Sequence, residues 1–174
     1  MIDWLIERAS DPAAIDLRYS LSRLLSSKAA QNFDVVIIDC PPRFSTSAIN
    51  ALCASSHVVI PTVPDLSSLD ASSRFISMAE ALFSELNPFL SVAGIVPLMS
   101  EAANLTNAES ERLDKFLDRN SYQRSRLRLF RNLRHADTVA NVAHDNIYYL
   151  SAPNNALRQR VGIVASDIAD AIGC

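Results

Sequence analysis

Glycine and lysine are both scarce in this 174-residue chain, which has three glycines (Gly94, Gly162, Gly173) and two lysines (Lys28, Lys115). A loop that closes backbone N–H groups around phosphates needs clustered glycines and a lysine at a defined place, and none of these five residues has that setting. The cysteines Cys40, Cys53 and Cys174 are odd in number and form no C-x-x-C pair, which excludes a disulfide framework and a zinc site of the usual spacing and fits a reducing cytoplasm. No apolar run reaches membrane-spanning length, and the N-terminal MIDWLIERASDP lacks the basic start and long apolar core of a secretion signal. A soluble intracellular protein is expected. The net charge of -3 argues against a surface that coats nucleic acid everywhere, so charge has to be read locally.

With 49% apolar and 20% charged residues the chain can fill one core, and a single domain over residues 1–174 is expected. Ile2, Leu5, Ile6 and Ala9 repeat at helical spacing up to Asp11-Pro12, and Leu17, Leu21, Leu24 and Leu25 predict a second helix. FDVVIID follows, with Val35, Val36, Ile37 and Ile38 apolar on both faces, as in a central strand of a parallel sheet. The alternation continues with a helix over about 45–54, the strand HVVIPTV, and a helix carrying Phe75, Met78, Ala79, Leu82 and Leu86 that ends near Asn87-Pro88. After these come the strand SVAGIVPLM and a helix whose Thr106 and Glu109 have capping-box spacing, with Leu113, Phe116 and Leu117 inward. LRLF and NIYYL are short strand candidates flanking a helix of about 136–143, and a last helix aligns Leu157, Val161, Val164, Ile168 and Ile172. This order predicts an α/β fold, an open and mostly parallel sheet with helices on both faces.

The segment FDVVIIDCPP sets Asp39 at the C-terminal end of an apolar strand, the edge where open α/β sheets bind ligands. A carboxylate there can face a magnesium ion through coordinated water. The alternative is a strand-ending turn, in which Asp39 accepts backbone hydrogen bonds and Pro41-Pro42 stops the strand. Ser45, Thr46 and Ser47 lack a G-x-S-x-G elbow and read as helix capping. His57, His135 and His144 have neither metal-ligand spacing nor a nucleophile partner.

Over FDVVIIDCPPRFSTSAINALCASSHVVIPTVPDLSSLDA the chain resembles the ParA/Soj/MinD family of deviant Walker A partition ATPases. The carrying residues are Asp39, Cys40, Pro41 and Pro42, then Asn50, Ala51 and Leu52, then the run Val59-Ile60-Pro61. The resemblance continues more faintly through AGIVPLM and the final helix. It implies a P-loop NTPase-like fold, with ATP and magnesium as cofactors in the complete protein and Asp39 as the catalytic Walker B carboxylate that holds magnesium through water. It further implies nucleotide contacts near Pro41, Pro42, Leu133 and Arg134, an ATP-bound homodimer, nonspecific DNA and a ParB-like partner. Cys40 belongs to the signature and needs no redox role. The family's K-G-G-x-G-K-[ST] loop is not found in these residues, and the expectation is a C-terminal portion that has lost its first β-α units, inactive as an ATPase by itself. A noncatalytic binding module and a nonfunctional remnant are the rival readings.

The run RSRLRLFRNLRH places Arg124, Arg126, Arg128, Arg131 and Arg134 close together. The resemblance makes Arg124, Arg126, Arg128 and Arg131 candidates for sequence-independent contacts to DNA phosphates. The alternative is a solvated edge whose cations discourage strand pairing. The C-terminal IADAIGC lacks the basic amphipathic face that would bind anionic lipid, so a cytoplasmic, nucleoid-associated protein without membrane targeting is expected.

Overall fold

The structure, a computed structural model, describes residues 16–28, 30–41, 44–100, 104–120, 127–134 and 155–174. A 3-10 turn (Leu17–Tyr19) leads into α1 (Ser20–Leu25) and a second 3-10 turn (Ala30–Asn32). Then come α2 (Thr46–Ala54), β1 (His57–Thr62), α3 (Leu66–Leu86), β2 (Ser91–Ser100), α4 (Asn107–Arg119), β3 (Arg128–Leu129), β4 (Leu133–Arg134) and α5 (Asn155–Ile172). The chain divides into two compact units, Met1–Val58 with Glu80–Ser91, and Val59–Ala79 with Val92–Cys174. No helix among the described residues is long and apolar enough to cross a membrane.

The fold is α/β, as the alternation of apolar strands and amphipathic helices predicts. Its sheet runs β1-β2-β3, with β4 also paired to β2, and the pairings of β2 with β3 and β4 are parallel. Gly94 and Ile95 oppose Arg128 and Leu129, while Leu98 and Ser100 oppose Leu133 and Arg134. β3 and β4 are thus two pieces of one track along β2. Pro97, which has no N–H to give to a ladder, falls in the gap between them. A register shift at Met99 compensates the extra residue in the facing segment between Leu129 and Leu133, and Met99 sits at a φ of 55°, unusual for a side chain of its kind.

The second unit builds its core on this track. Ala93, Val96, Phe130 and Val164 are buried together, with Val59, Leu98, Leu133, Ile168, Ala171 and Ile172 packed around them. Ile95 and Leu113 are fully enclosed. α4 starts as its sequence predicts: Thr106 Oγ1 accepts from the Glu109 N–H, and the Thr106 N–H donates to Glu109 Oε2 at 2.7 Å. At its other end the buried Asn120 donates to Ser73 Oγ and to the Phe116 carbonyl, both at 2.8 Å, which ties α4 to α3. α3 is capped by Asp65, whose carboxylate accepts from the Ser68 N–H and hydroxyl. Those two bonds hold the Asp65 carboxyl below its ordinary pKa.

Two expectations fail. Residues 33–41 form no strand, and Val35, Val36 and Ile37 are 46%, 47% and 90% exposed. A run apolar on both faces is a central strand only where neighbouring backbone pairs with it, and none of the described strands does so. α1 is only six residues long and buries none of them, with Leu24 65% exposed, because so short a helix presents no continuous stripe. The expected helices at 2–9 and about 136–143 and the strand NIYYL lie outside the described residues.

Gly94 has a φ of 156°, and a Cβ there would lie 2.3 Å from the Arg128 carbonyl oxygen and 2.7 Å from the Phe130 ring. Gly94→Ala is therefore expected to lose at least about 2 kcal/mol in urea unfolding, against about 1 kcal/mol for Gly173→Ala, where only the backbone conformation objects. Equal losses would mean that the close approach of β3 to β2 is not tight in solution. Asp65→Ala is expected to cost about 1 kcal/mol at pH 7 through the lost cap. Because the folded pKa is depressed, that contribution is present above the unfolded value and fades as pH falls through the folded one, so urea midpoints of parent and variant converge in acid.

Candidate functional site

The signature segment lies in the first unit. Asp39 is exposed at the end of the unpaired apolar run, and Pro41 beside it is exposed, while Pro42 and Arg43 are outside the described residues. Cys40 donates a long contact to the Ile38 carbonyl at 3.8 Å. Partial desolvation, and next to it the Asp39 carboxylate, push the Cys40 thiol up, which reduces its thiolate fraction and speaks against a nucleophile.

The helix after the two prolines is built as a rigid support. Ser45 caps α2 by accepting from the Ala48 N–H, which is the capping role read from the sequence. Ala48, Ile49, Ala51, Leu52 and Cys53 are buried. Asn50 is spent on structure: its Oδ1 accepts from the Leu21 N–H at 3.1 Å, and its amide donates to the Leu17 and Thr46 carbonyls. A side chain so engaged fixes the preceding turn onto α2 and has little left for a ligand. The Asn87 amide does the same at the far end, donating to the Leu52 and Ser55 carbonyls at 2.9 and 2.8 Å. These clamping roles were not legible in the sequence, where Asn50 stood out only as part of a motif. His57 Nδ1 meets its neighbour Ser56 Oγ at 3.0 Å, a local contact.

The cationic segment lies in the second unit. Arg128 in β3 and Arg131 after it are exposed, whereas Phe130 between them is buried. Arg131 Nε lies 3.4 Å from Asp167 Oδ2 on α5. Leu133 packs against the core of this unit and Arg134 follows it in β4. Arg124, Arg126, His135 and His144 are outside the described residues. Two hollows flank the segment. One, of about 390 Å³, is lined by Arg128, Arg131, Asp167 and Asp170 among others. The other, of about 610 Å³, brings Arg131 and Asn132 together with Asn104 and Arg160 over an apolar floor of Phe130 and Val164. Asn132 is held in place by its amide, which donates to the buried Ser100 hydroxyl at 2.5 Å. Arg160 was missed in the sequence, although it stands with Ile163, Val164 and Asp167 at the spacing of one helical stripe.

The ATP and magnesium implied by the resemblance do not fit the described residues as they stand. Triphosphate binding needs converging backbone N–H groups and a lysine on the β and γ oxygens. Lys28 is exposed in the turn after α1, and Lys115 is 2.6 Å from Glu111 on α4. Gly94 is pressed against β3, Gly162 lies within α5 and Gly173 ends it. Among the described residues no group of three or more His, Cys, Asp or Glu side chains is arranged to hold a metal ion.

The AAA domain family matches residues 7–92. The sporulation initiation inhibitor protein Soj of Bacillus subtilis (strain 168) is 36% identical over 95 residues, which are 52% of this chain and 38% of that protein. The chromosome-partitioning ATPase Soj of Thermus thermophilus is 27% identical over 99 residues, 57% of this chain and 40% of that protein. The chain thus spans less than half the length of these curated relatives. Among solved structures, apo McdA of Cyanothece superposes with a TM-score of 0.70 over 95% of this chain and 62% of its own, at 16% identity, a likeness of fold. Cobyrinic acid a,c-diamide synthase from Mycobacterium smegmatis, solved with an ATP analog and magnesium, gives 0.54 at 27% identity over 70% of this chain and 44% of its own. The D-C-P-P segment with its buried helix, the family match over residues 7–92 and the Soj relatives together support membership of the ParA/Soj family.

Proposed function

We propose that this chain carries the Walker B and DNA-contacting portion of a ParA-type ATPase that partitions chromosomal or plasmid DNA by ATP-switched dimerisation, together with a ParB-like partner. The observation that carries the reading is the Asp39-Cys40-Pro41-Pro42 run set immediately before α2, whose Asn50 clamp and buried face give that run a fixed base. In this reading Asp39 is the carboxylate that faces magnesium through water in the complete enzyme. Pro41, Pro42, Leu133 and Arg134 border the nucleotide, and the phosphate cradle comes from residues outside these 174. The exposed apolar run Val35–Ile37 fits the same reading, since such a run belongs inside a sheet and the strands to flank it are not among the described residues.

For the 174 residues by themselves the reading is narrower: a noncatalytic module whose arginines meet DNA phosphates without reading bases. The absence of a glycine-rich loop with its lysine favours this over an ATPase acting alone. Arg128 and Arg131 are the described members of the contact set, with Arg124 and Arg126 completing it along the chain.

Two titrations of the chain test both levels. With a fluorescent ATP analogue and magnesium, no saturable signal is expected from the parent or from Asp39→Ala; saturable binding that Asp39→Ala abolishes would contradict the missing cradle. With a short DNA duplex at stepped salt, binding is expected to weaken steeply with salt, and Arg131→Gln is expected to lower the log–log slope by about 0.9. A slope unchanged by Arg131→Gln would remove Arg131 from the DNA surface.

A further inference from the structure

The two hollows beside Arg131 differ in charge, the smaller being balanced between two arginines and two aspartates and the larger cationic. The smaller contains two carboxylates, Asp167 and Asp170, and Arg131 already leans on the first of them. The larger is lined by Arg131, Arg160 and the amides of Asn104 and Asn132, and no carboxylate lines it among the described residues. Arg160, Ile163, Val164 and Asp167 fall on one stripe of α5, so Arg160 and Asp167 are about 10.5 Å apart along the helix axis. Arg131 therefore meets a helix that offers a carboxylate at one level and a second cation two turns earlier. An arginine can move toward that second cation only when an anion sits between the two.

We propose that the larger hollow is the seat of one DNA phosphate, held between Arg131 and Arg160, and that Asp167 occupies the guanidinium of Arg131 in the absence of DNA. The proposal rests on the DNA-contact reading above and adds to it a residue on α5 and a competitor. A phosphodiester suits the seat in charge and in donors, because guanidinium groups and side-chain amides all donate to phosphate oxygens. The apolar floor offers bases no hydrogen bonds, in keeping with contacts that ignore sequence. The competitor is weak by construction. Its ion pair is 3.4 Å long, with Arg131 66% exposed and Asp167 33%, so a phosphate can displace it. Asp167 would then lower the affinity for DNA without abolishing it, and would make that affinity depend on the density of phosphates that the duplex brings.

The test is duplex binding at stepped salt by the 174-residue chain and its variants Asp167→Asn, Arg160→Gln, Arg131→Gln, Arg128→Gln and Asp167→Asn/Arg131→Gln. Asp70→Asn, an exposed carboxylate on α3, is the control for net charge. Asp167→Asn is expected to tighten binding about 1.5- to 5-fold, the range that a surface ion pair's strength corresponds to. That gain should vanish in the Arg131→Gln background and exceed the gain from Asp70→Asn. Arg160→Gln is expected to weaken binding and to lower the salt slope by about 0.9. The proposal is overturned if Asp167→Asn has no effect, if its gain survives without Arg131, or if Arg160→Gln binds like the parent. In those cases weaker binding by Arg131→Gln still upholds the DNA-contact reading. If neither Arg131→Gln nor Arg128→Gln changes binding, or if parent and Asp167→Asn both fail to bind, the DNA-contact reading itself fails and the seat falls with it.

Discussion

The pairing of β2 with the segment Arg128–Arg134 is the contact on which the second unit depends. It holds Phe130 over Gly94 and sets Val164 of α5 into the same core, and it leaves Arg128 and Arg131 exposed on either side of a buried ring. Parallel pairs contribute little per residue and are sustained by the apolar layers that cover them. Here the cover is continuous from Ala93 to Pro97, and the pairing is interrupted at Pro97 and Met99, toward the C-terminal edge of the strand. A bulge and an unusual φ at a sheet edge are features that proteins keep where a side chain has to be re-aimed. The side chains affected are Ser100, turned inward, and its partner Asn132.

The first unit is organised by polar clamps. Asn50 and Asn87 tie backbone carbonyls at the two ends of α2, and the Tyr19 hydroxyl donates to the Leu86 carbonyl at 3.0 Å. Backbone groups at helix ends need partners, and amide side chains supply them at fixed geometry. The D-C-P-P run therefore leads into a helix anchored at both ends.

Much of the fold was legible because it rests on local rules. The Thr106–Glu109 capping box, the apolar stripe of α5 and the strand SVAGIVPLM follow from spacing and composition, and the structure has them where expected. FDVVIID shows the limit of that reading. Its apolar pattern states that both faces want burial, but a strand exists only through neighbours that lie elsewhere in sequence. The same limit hid the site: Arg131 was visible as one cation among several, whereas Asp167 and Arg160 are more than twenty residues away and become relevant only because β3 and β4 lie along β2 beside α5. Family resemblance singled out Asp39 and Asn50 together, yet the first is an exposed carboxylate and the second a structural clamp. A motif groups residues by descent and does not separate chemistry from support.

The proposed DNA surface comprises β3, β4 and the first half of α5. Amide hydrogen exchange with and without a short duplex tests it most directly. Protection confined to residues 124–134 and 155–164, with α2 unchanged, is the predicted result. Protection centred on α2 or on the exposed run Val35–Ile37, with none along Arg128–Arg134, would contradict it.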